Sequence, residues 1–229
     1  MLTQLSLIVA AIYGDNADVL KMENRKLHER YWNESSTPDH NAYQYSKTIA
    51  EREAWKIAES QTRWDLVVIC PGFVLGPSLT PGSDSGSLDL LDQLLKGNYM
   101  VPGVPDLGFV MVDVRDVAVA HLKAAEVEQA KGRYVISHSK MTTFLEVSNT
   151  LKQVHTKPRL LPSWNMPNLL FRVAAPLVGV SQRWITANIG IEIAADNARS
   201  IEELGMEYRP VMEMLLDHYR SWAAEQGSA

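Results

Sequence analysis

Short apolar runs separated by polar stretches fill the first two thirds of the chain, which is typical of alternating strands and helices. Residues 5–13 form one continuous apolar run, and residues 66–70 form another that ends at Pro71. Such runs predict strands of a parallel sheet that is covered on both faces. Between them, residues 42–60 carry a helical pattern. The strand–helix–strand order predicts a right-handed crossover and an α/β fold.

The remaining apolar patterns predict a mixture of further strands and helices. Thr143 and Glu146 form the sequence of a capping box, which predicts a helix to about His155. Asp116 is predicted to cap a helix that runs to about Glu126. The other predicted elements are strands over 109–114 and 133–137 and helices over 88–96, 168–178 and from Pro210 onward, the last with Met212, Leu215, Leu216, Tyr219 and Trp222 on its packed face.

Composition narrows the function classes. The 229 residues suit one domain or two small ones. A net charge of −5 and the lack of any basic run argue against a nucleic-acid partner. Cys70 is the only cysteine, which fits a reducing compartment such as the cytoplasm. The sequence contains neither a His-x-x-x-His nor a Cys-x-x-Cys pair, so we predict no metal site. We expect no signal peptide and no membrane partner, because no basic segment precedes residue 5 and the best apolar run, 169–180, is interrupted by Arg172 and Pro176.

Tyr43 and Lys47 are the candidate catalytic pair, because four-residue spacing places both on one face of the predicted helix. An ammonium beside a phenol favours the phenolate and makes the tyrosine a usable proton donor or acceptor. A pair on a solvated helix face has the same spacing, and a chance match is a roughly one-in-three event in such a chain. A small-residue stripe beside the pair favours a packed, functional setting: Ala42, Ser46, Ile49, Ala50, Ala54, Ile57 and Ala58.

Two further segments have both a functional and a structural interpretation. The Ser-, Gly- and Pro-rich residues 78–87 follow the second strand, at the end of the sheet where ligands bind, and their backbone N–H groups suit a phosphate. A plain loop fits their composition equally well. Four large residues are candidates for a flat apolar pocket but are more typical of core: Trp164, Met166, Phe171 and Trp184.

These segments together resemble the extended short-chain dehydrogenase/reductase family. The branch most similar is the dihydroflavonol-reductase and cinnamoyl-CoA-reductase-like one, often described as NAD-dependent epimerase/dehydratase, and the resemblance covers nearly the whole chain from about Val9. It is carried, in order, by residues 11–15 (Ala-Ile-Tyr-Gly-Asp), Tyr43-x-x-x-Lys47 with Thr48-x-Ala50-Glu51, 64–67 (Trp-Asp-Leu-Val), 71–77 (Pro-Gly-Phe-Val-Leu-Gly-Pro), 109–118 and 198–205.

The resemblance implies a fold and a division of the chain. We expect a partial Rossmann-like parallel sheet whose N-terminal strands are missing, with a small, mostly helical substrate lobe. Residues 1–77 and 109–139 would belong to the NAD(P)-binding domain, and residues 78–108 and 140–229 to the substrate lobe. The family also implies a homodimer formed through the helix that carries the tyrosine and the lysine.

The resemblance further implies roles for individual residues. Tyr43 would be the general acid/base, and Lys47 would hold the nicotinamide ribose and ease deprotonation of the tyrosine. Three residues would contact the nicotinamide end, and one would lie near the cofactor phosphates: Pro71, Gly72 and Val74, and Ser87, respectively. The implied reaction is reversible hydride transfer between NAD(P)H, with NADP favoured, and a small carbonyl or alcohol compound. A nucleotide-sugar epimerase/dehydratase and a non-catalytic interaction protein remain the alternatives.

Two departures from the family pattern bear on activity. The chain has no Gly-x-x-Gly-x-x-Gly turn, the family's pyrophosphate site, and its match begins about where the family's fifth strand would be. The Ser or Thr that the family places at the end of that strand is replaced here by Ile8 or Val9, and Ser6 is out of phase. We therefore expect weak or absent cofactor binding, an unpaired sheet edge and low solubility for the isolated chain.

Overall fold

The computed structural model describes residues 2–6, 9–78, 85–101 and 103–227 of the chain. The strands are β1 (Leu2–Ser6), β2 (Lys26–Leu27), β3 (Asp65–Pro71), β4 (Phe73–Leu75), β5 (Gly108–Asp113), β6 (Gly132–Ile136), β7 (Met141–Thr143) and β8 (Ala194–Ala195). The α-helices are α1 (Asn16–Val19), α2 (Ala42–Glu59), α3 (Gly86–Leu95), α4 (Val114–Glu126), α5 (Phe144–Lys152), α6 (Asn168–Ala174), α7 (Gln182–Asn188), α8 (Ala198–Leu204) and α9 (Val211–Gly227).

A parallel sheet in the order β1–β3–β6 forms the centre of the fold. Alternate residues of β3 face opposite sides, as the two-residue period of a strand requires. Val68 and Cys70 pack with Ala54 and Trp55 of α2, whereas Val67 and Ile69 pack with helices α4 and α8. The sheet is thus covered on both faces, and the predicted α/β class is confirmed.

A second sheet, in the order β4–β5–β7, lies beside the central sheet. The pair β4–β5 is parallel and the pair β5–β7 is antiparallel. Helices α3, α5 and α9 bury leucines and aromatic residues against it, including Leu94, Phe144 and Leu215. At the start of α5, Glu146 N donates to Thr143 Oγ1 and Thr143 N donates to Glu146 Oε2, so the predicted capping box is confirmed.

The strand predicted over residues 5–13 is wrong in its extent. β1 ends at Ser6, and a 3₁₀ turn occupies Val9–Ala11. The carbonyl groups of Ala10 and Ala11 accept from the side chain and the backbone N–H of Asn33, at 2.9 and 3.0 Å, where a strand would need a neighbouring strand. An apolar run alone cannot separate a buried strand from a buried turn, and here the buried residues belong to a turn.

The predicted packed face of α2 is also wrong, although the helix bounds are confirmed. Of the predicted stripe, only Ala54 and Ala58 pack against the core, whereas the other members are exposed, Ile57 to 58%. The fully buried side chain of the helix is Glu51, which reaches Arg133 on β6. The buried face of α2 is therefore marked by an ion pair between the helix and the sheet, which no apolar period can reveal.

Two smaller corrections concern the ends and faces of later helices. Asp113, rather than Asp116, caps α4, because its side chain accepts from Arg115 N at 2.8 Å. Asp116 is instead buried and paired with Arg209. In α9, Met212 was predicted to be packed but is 58% exposed. His218, which was not part of the predicted packed face, is buried. Within the described ranges, none of the helices has the length and apolar character needed to cross a bilayer.

Candidate functional site

A cavity of about 630 Å³ lies beside the carboxyl end of β3 and the first turn of α2. Its volume is in the range of small-molecule sites, which is about 300–1,000 Å³. Four residues that sequence reasoning selected border it: Tyr43, Gly72, Val74 and Ser87. Lys47 and Pro71 do not border it. The remaining lining residues are Ala10, Tyr13, Gly14, Asn16, Gln44, Phe73, Ser85, Gly86, Leu107, Phe109, Val110, Trp184 and Asn188.

Tyr43 and Lys47 lie next to each other on α2, as their spacing requires. The Lys47 Nζ atom is 5.4 Å from the centroid of the Tyr43 ring, within the range of a cation–π contact. Tyr43 is 56% exposed and borders the cavity, whereas Lys47 is partly buried behind it. A positive charge therefore lies against the phenol at the mouth of the cavity.

Asn41 fixes the start of the helix that carries this pair. It adopts the left-handed conformation, with φ 58°, which asparagine tolerates better than most residues. Its Nδ2 atom donates to the carbonyl oxygen of Gly14 at 3.0 Å and to Asp15 Oδ1 at 2.8 Å. The first turn of α2, and with it Tyr43, is thereby held against the turn that follows Ala11.

Asp15 is the acceptor at the centre of this anchor. His40 Nε2 donates to its Oδ2 at 2.8 Å, and Asn188 Nδ2, from the end of α7, donates to its Oδ1 at 2.7 Å. Burial alone would raise the pKa of Asp15, but the hydrogen bonds from His40, Asn188 and Asn41 outweigh it and hold this pKa below its usual value. Asp15 thus remains charged and joins three separate segments.

Asn16 and Asn188 continue the same anchor along the cavity wall. Asn16 N donates to Asn188 Oδ1 at 3.0 Å, although 172 residues separate them. Both amides border the cavity, together with Gln44 of α2. Asn188 Nδ2 already donates to Asp15 Oδ1 and to Trp184 O, so Asn188 holds the wall together, and Gln44 and Asn16 are the residues whose amides can contact a ligand.

The segment after β3 brings the backbone to the cavity floor. Pro71 is buried and pairs in register with Ile136, so it ends the strand rather than facing the cavity. Gly72 N donates to Ile136 O at 3.0 Å, and Val74 follows on the adjoining strand β4. Gly72 and Val74 border the cavity from this side.

Ser87 lies in the first turn of α3, beside Ser85 at the N-cap position. Their hydroxyl oxygens are 2.9 Å apart, and both border the cavity. Residues 79–84 of the predicted phosphate loop lie outside the described residues. The described end of that loop is thus a helix N-terminus with two hydroxyl groups.

Aromatic and aliphatic side chains form another part of the cavity lining. The rings of Phe73 and Phe109 stack with centroids 4.2 Å apart, and Trp184 borders the same space. Trp184 is the one of the four aromatic or apolar candidates that lines this cavity. The others lie elsewhere: Met166 buried, Trp164 half-exposed, and Phe171 packed against α7.

Tyr13 is a lining residue that sequence reasoning missed. Burial, with a smaller contribution from the charge of Asp18, raises its pKa to about 12. Its phenol therefore remains neutral at physiological pH. The family's Ser or Thr position falls on Ile8, which lies outside the described residues, or on Val9, which begins the 3₁₀ turn.

A second concavity, of about 480 Å³, lies between α3 and α9. It carries three carboxylates, from Asp89, Asp92 and Glu225, and is separated from the tyrosine–lysine pair by Ser85 and Gly86, which border both spaces. The first cavity is therefore the candidate site.

Comparisons with known proteins show which family the chain is similar to. The model of the NAD dependent epimerase/dehydratase family matches residues 5–137. Cinnamoyl-CoA reductase 2 from Medicago truncatula is 29% identical over 195 residues, which are 84% of this chain and 51% of that protein. Tetraketide alpha-pyrone reductase 2 from Arabidopsis thaliana is 41% identical over 124 residues, which are 51% of this chain and 36% of that protein. The chain thus spans about half, or less, of the length of these curated relatives.

A solved structure extends the similarity to the whole described fold. Yeast methylglyoxal/isovaleraldehyde reductase Gre2, complexed with NADPH, aligns with a TM-score of 0.73 and 25% sequence identity. The alignment covers 100% of this chain and 65% of that chain. The likeness therefore includes both the central sheet and the second sheet, β4–β5–β7.

Proposed function

The chain belongs to the NAD dependent epimerase/dehydratase family, and we propose that it functions as an NAD(P)-dependent oxidoreductase that interconverts a carbonyl and an alcohol. The observation that carries the proposal is the position of Tyr43 at the cavity mouth with the Lys47 ammonium against its ring. A phenol beside a fixed cation suits proton transfer to a carbonyl oxygen that becomes an alkoxide. The matching residues of the family motif have this role.

The residues around the cavity fit the nicotinamide end of a dinucleotide. Gly72 and Val74 offer a close backbone and an apolar surface for a planar ring. Lys47 does not line the cavity, but its Nζ atom, 5.4 Å from the Tyr43 ring, would reach a ribose hydroxyl placed at the phenol. Ser87 offers a hydroxyl at a helix N-terminus, which suits a phosphate oxygen. Pro71 acts through the strand end that positions Gly72. A bound NAD(P)H would supply the hydride, and the protein would supply the proton and the orientation.

NADPH is the cofactor we favour, since Gre2, which is complexed with NADPH, aligns with 100% of this chain over 65% of its own length. The substrate we propose is a small carbonyl compound with an apolar or aromatic group. The stacked pair Phe73 and Phe109, with Trp184, favours such a group over a polyhydroxylated sugar. The amides of Gln44 and Asn16 would orient its oxygen-bearing end.

The proposal divides the chain into a cofactor-binding part and a substrate-binding part. Residues 1–77 and 109–139 belong to the NAD(P)-binding part, and residues 78–108 and 140–229 to the substrate lobe. The buried, unpaired Cys70 is compatible with a cytoplasmic protein. The exposed stripe on α2 is a candidate face for a homodimer.

The decisive experiment is titration of the purified chain with NADPH and NADH, followed by tryptophan fluorescence and thermal shift. Because the chain lacks the Gly-x-x-Gly-x-x-Gly turn, we expect the binding to be weak but saturable, with a small rise in melting temperature and then NADPH-dependent reduction of aromatic or aliphatic aldehydes and ketones. Tyr43→Phe should keep binding and lower kcat/KM by about 10²–10⁴-fold. Tyr45→Phe, on the same helix, is the matched control and should keep activity.

Three results would redirect the proposal. Turnover of a nucleotide sugar without reduction of aldehydes or ketones would favour the epimerase/dehydratase alternative. A folded chain that binds neither cofactor would favour a non-catalytic interaction protein. Equal loss of activity in Tyr43→Phe and Tyr45→Phe would remove the special role of Tyr43.

A further inference from the structure

The concavity between α3 and α9, of about 480 Å³, contains charged groups that the proposed reaction does not use. Most of its lining belongs to the two helices, and we call it the α3–α9 cleft. Small-molecule sites have volumes of about 300–1,000 Å³, so the cleft is large enough for a ligand of its own. Ser85 and Gly86, at the start of α3, also border the first cavity. A ligand in the cleft would therefore lie beside the candidate site without occupying it.

Two of the three carboxylates in the α3–α9 cleft have no cation beside them. Asp92 is neutralised, because Lys96 Nζ lies 2.8 Å from its Oδ2 atom. Asp89 accepts a hydrogen bond from the uncharged amide of Gln93, at 3.1 Å. Among the described residues, no Lys, Arg or His forms an ion pair with Asp89 or Glu225. The cleft thus carries two negative charges that no described side chain balances.

His218 presents a hydrogen-bond acceptor to the same cleft. The residue is only 4% exposed, and its Nδ1 atom donates to Gly76 O at 2.9 Å, because a carbonyl oxygen can only accept. Burial lowers the pKa of His218, so the ring is neutral near pH 7 and Nε2 carries a lone pair instead of a proton. Nε2 has no partner among the described residues and is not one of their fully enclosed atoms, so it opens to the cleft that its ring borders. A ligand with an N–H or O–H group would satisfy this acceptor.

Two other kinds of ligand fit these groups less well. An anion would meet the carboxylates of Asp89 and Glu225, whose charges repel it. The hydroxyl of Ser87, which suits an anion at the helix N-terminus, borders the first cavity rather than the cleft. For a metal ion, the described ranges contain no group of three or more acidic, histidine or cysteine side chains that could hold it. The chemistry of the cleft therefore favours an organic cation with N–H donors.

We propose that the α3–α9 cleft binds a small organic compound that carries a primary ammonium group. An ammonium has three N–H donors, so one group can bind His218 Nε2 and a carboxylate together, and its charge balances that of the carboxylate. Glu225 is close enough to His218 for its charge to raise the pKa of the imidazole, against the larger effect of burial, which places an acceptor and a carboxylate side by side. Leu88 and the ring of Trp222 also border the cleft and offer apolar surface to the alkyl part of the compound.

The proposal is independent of the proposed oxidoreductase function. Its acceptors, Asp89, His218 and Glu225, lie outside the first cavity, and none has a role in the hydride transfer. Binding of an amine can therefore be measured whether or not the chain binds NADPH.

The test is isothermal titration calorimetry of the full chain at pH 7.5 with 1,4-diaminobutane and with n-butylamine, at physiological ionic strength, which screens nonspecific attraction. We expect saturable binding of both amines, and tighter binding of the diamine because two carboxylates lack a cation. 1,4-Butanediol has the same length but no charge, and tetramethylammonium has the charge but no N–H donor. Each of these control ligands should bind at least about tenfold more weakly than the diamine.

Glu225→Gln removes one of the two unbalanced charges and should weaken binding of the diamine at least about fivefold. The Glu225 side chain forms no hydrogen bond or ion pair with a described residue, so the fold should be unaffected. Glu213→Gln is the matched control, because it changes the net charge equally from an exposed position on the same helix, outside the cleft. This variant should bind the diamine as the unsubstituted chain does.

His218→Asn tests the acceptor. The asparagine amide can still donate to Gly76 O but has no atom in the place of Nε2, so binding of the diamine should weaken at least about fivefold. Circular dichroism establishes whether this variant is folded. If it does not fold, the comparison of Glu225→Gln with Glu213→Gln still decides the assignment.

Three results would overturn the proposal. The first is that neither amine binds. The second is equal weakening by Glu225→Gln and Glu213→Gln, which would show that the amines respond to net charge rather than to the cleft. The third is binding of tetramethylammonium as tight as that of the diamine, because no N–H donor would then be needed.

Discussion

Gly72 lies so close to Val110 that a Cβ atom at position 72 would be 2.2 Å from the carbonyl oxygen of Val110. No side chain approaches a backbone oxygen at that distance, and the oxygen belongs to β5, which cannot move without disturbing two strand pairings. The glycine therefore allows β3 and β5 to meet at the cavity floor. Its role is one of space rather than of an unusual φ angle.

Gly72→Ala should consequently destabilise the fold by about 1–3 kcal/mol, the usual cost of inserting atoms into a packed region. Gly86→Ala is the matched control, because an added Cβ there has no neighbour within 4 Å and alanine favours a helix. Denaturant unfolding of both variants checks the prediction. Equal stability of the two variants would show that the strands give way at no cost.

The buried pair Glu51 and Arg133 should be the most costly polar interaction to break. Arg133 Nε and Nη2 lie 2.7 and 3.0 Å from the two carboxylate oxygens of Glu51, which is fully buried. Glu51→Ala leaves the guanidinium buried without its counter-charge and should cost about 3–5 kcal/mol of unfolding free energy. Urea titration measures this loss.

An exposed pair on the same helix provides the comparison. Lys56 and Glu53 are 2.5 Å apart, but their side chains are 69 and 57% exposed. Glu53→Ala should therefore change the unfolding free energy by no more than about 1 kcal/mol. If Glu51→Ala were equally mild, the ion pair would not be important for the packing of α2 on the sheet.

Stability should decrease as the pH falls below about 6.5, the ordinary pKa of histidine. Burial lowers the pKa of His155, whose Nδ1 atom accepts from Lys157 N at 2.8 Å while Nε2 donates to Leu95 O at 3.0 Å. Both nitrogens are thus used in the neutral form. Burial also lowers the pKa of His218. Below pH 6.5 these two histidines bind protons in the unfolded chain but remain neutral in the folded protein. The free energy of unfolding therefore falls as the pH decreases from 6.5 toward their folded pKa values.

Thermal unfolding at several pH values between 7.5 and 5.5 tests this dependence. His155→Gln should remove part of the slope, whereas His121→Gln, at a partly buried position of α4, should retain it. A melting temperature that stays constant across this range in the unsubstituted chain would contradict the prediction.

The sequence predicted those features that depend on neighbouring residues. The bounds of α2 and β3 and the capping box of Thr143 and Glu146 follow from local period and local hydrogen bonding. The end of β1 and the face of α2 did not, because distant partners decide them: Asn33 for the turn after β1, and Arg133 for Glu51.

The same distinction applies to the candidate site. Tyr43, Gly72, Val74 and Ser87 were selected from motifs and all border one cavity. Asn188 was missed, because nothing in a sequence indicates that its amide bonds to Asn16 across 172 residues. His40 and Asn41 stood beside the motif, and their joint acceptor, Asp15, became evident only from the fold.

Asp15 should therefore prove more important to the site than any motif indicates. Asp15→Ala removes one acceptor from three buried or half-buried donors, in His40, Asn41 and Asn188, and should cost roughly 3 kcal/mol, since hydrogen bonds to a charged group contribute about 1.5–3 kcal/mol each and water compensates in part. Asp39→Ala is the control: Asp39 is exposed and directly precedes His40, and its substitution should lower the free energy of unfolding by less than about 0.5 kcal/mol.

Amide hydrogen exchange separates an effect on the site from a general loss of stability. Asn41 is tied to Asp15 and directly precedes α2, so Asp15→Ala should speed exchange in the first turn of α2 more than in β3. Uniformly faster exchange would mean that Asp15 stabilises the fold as a whole. A local increase would mean that this carboxylate holds Tyr43 in place, because the same turn carries the phenol to the cavity.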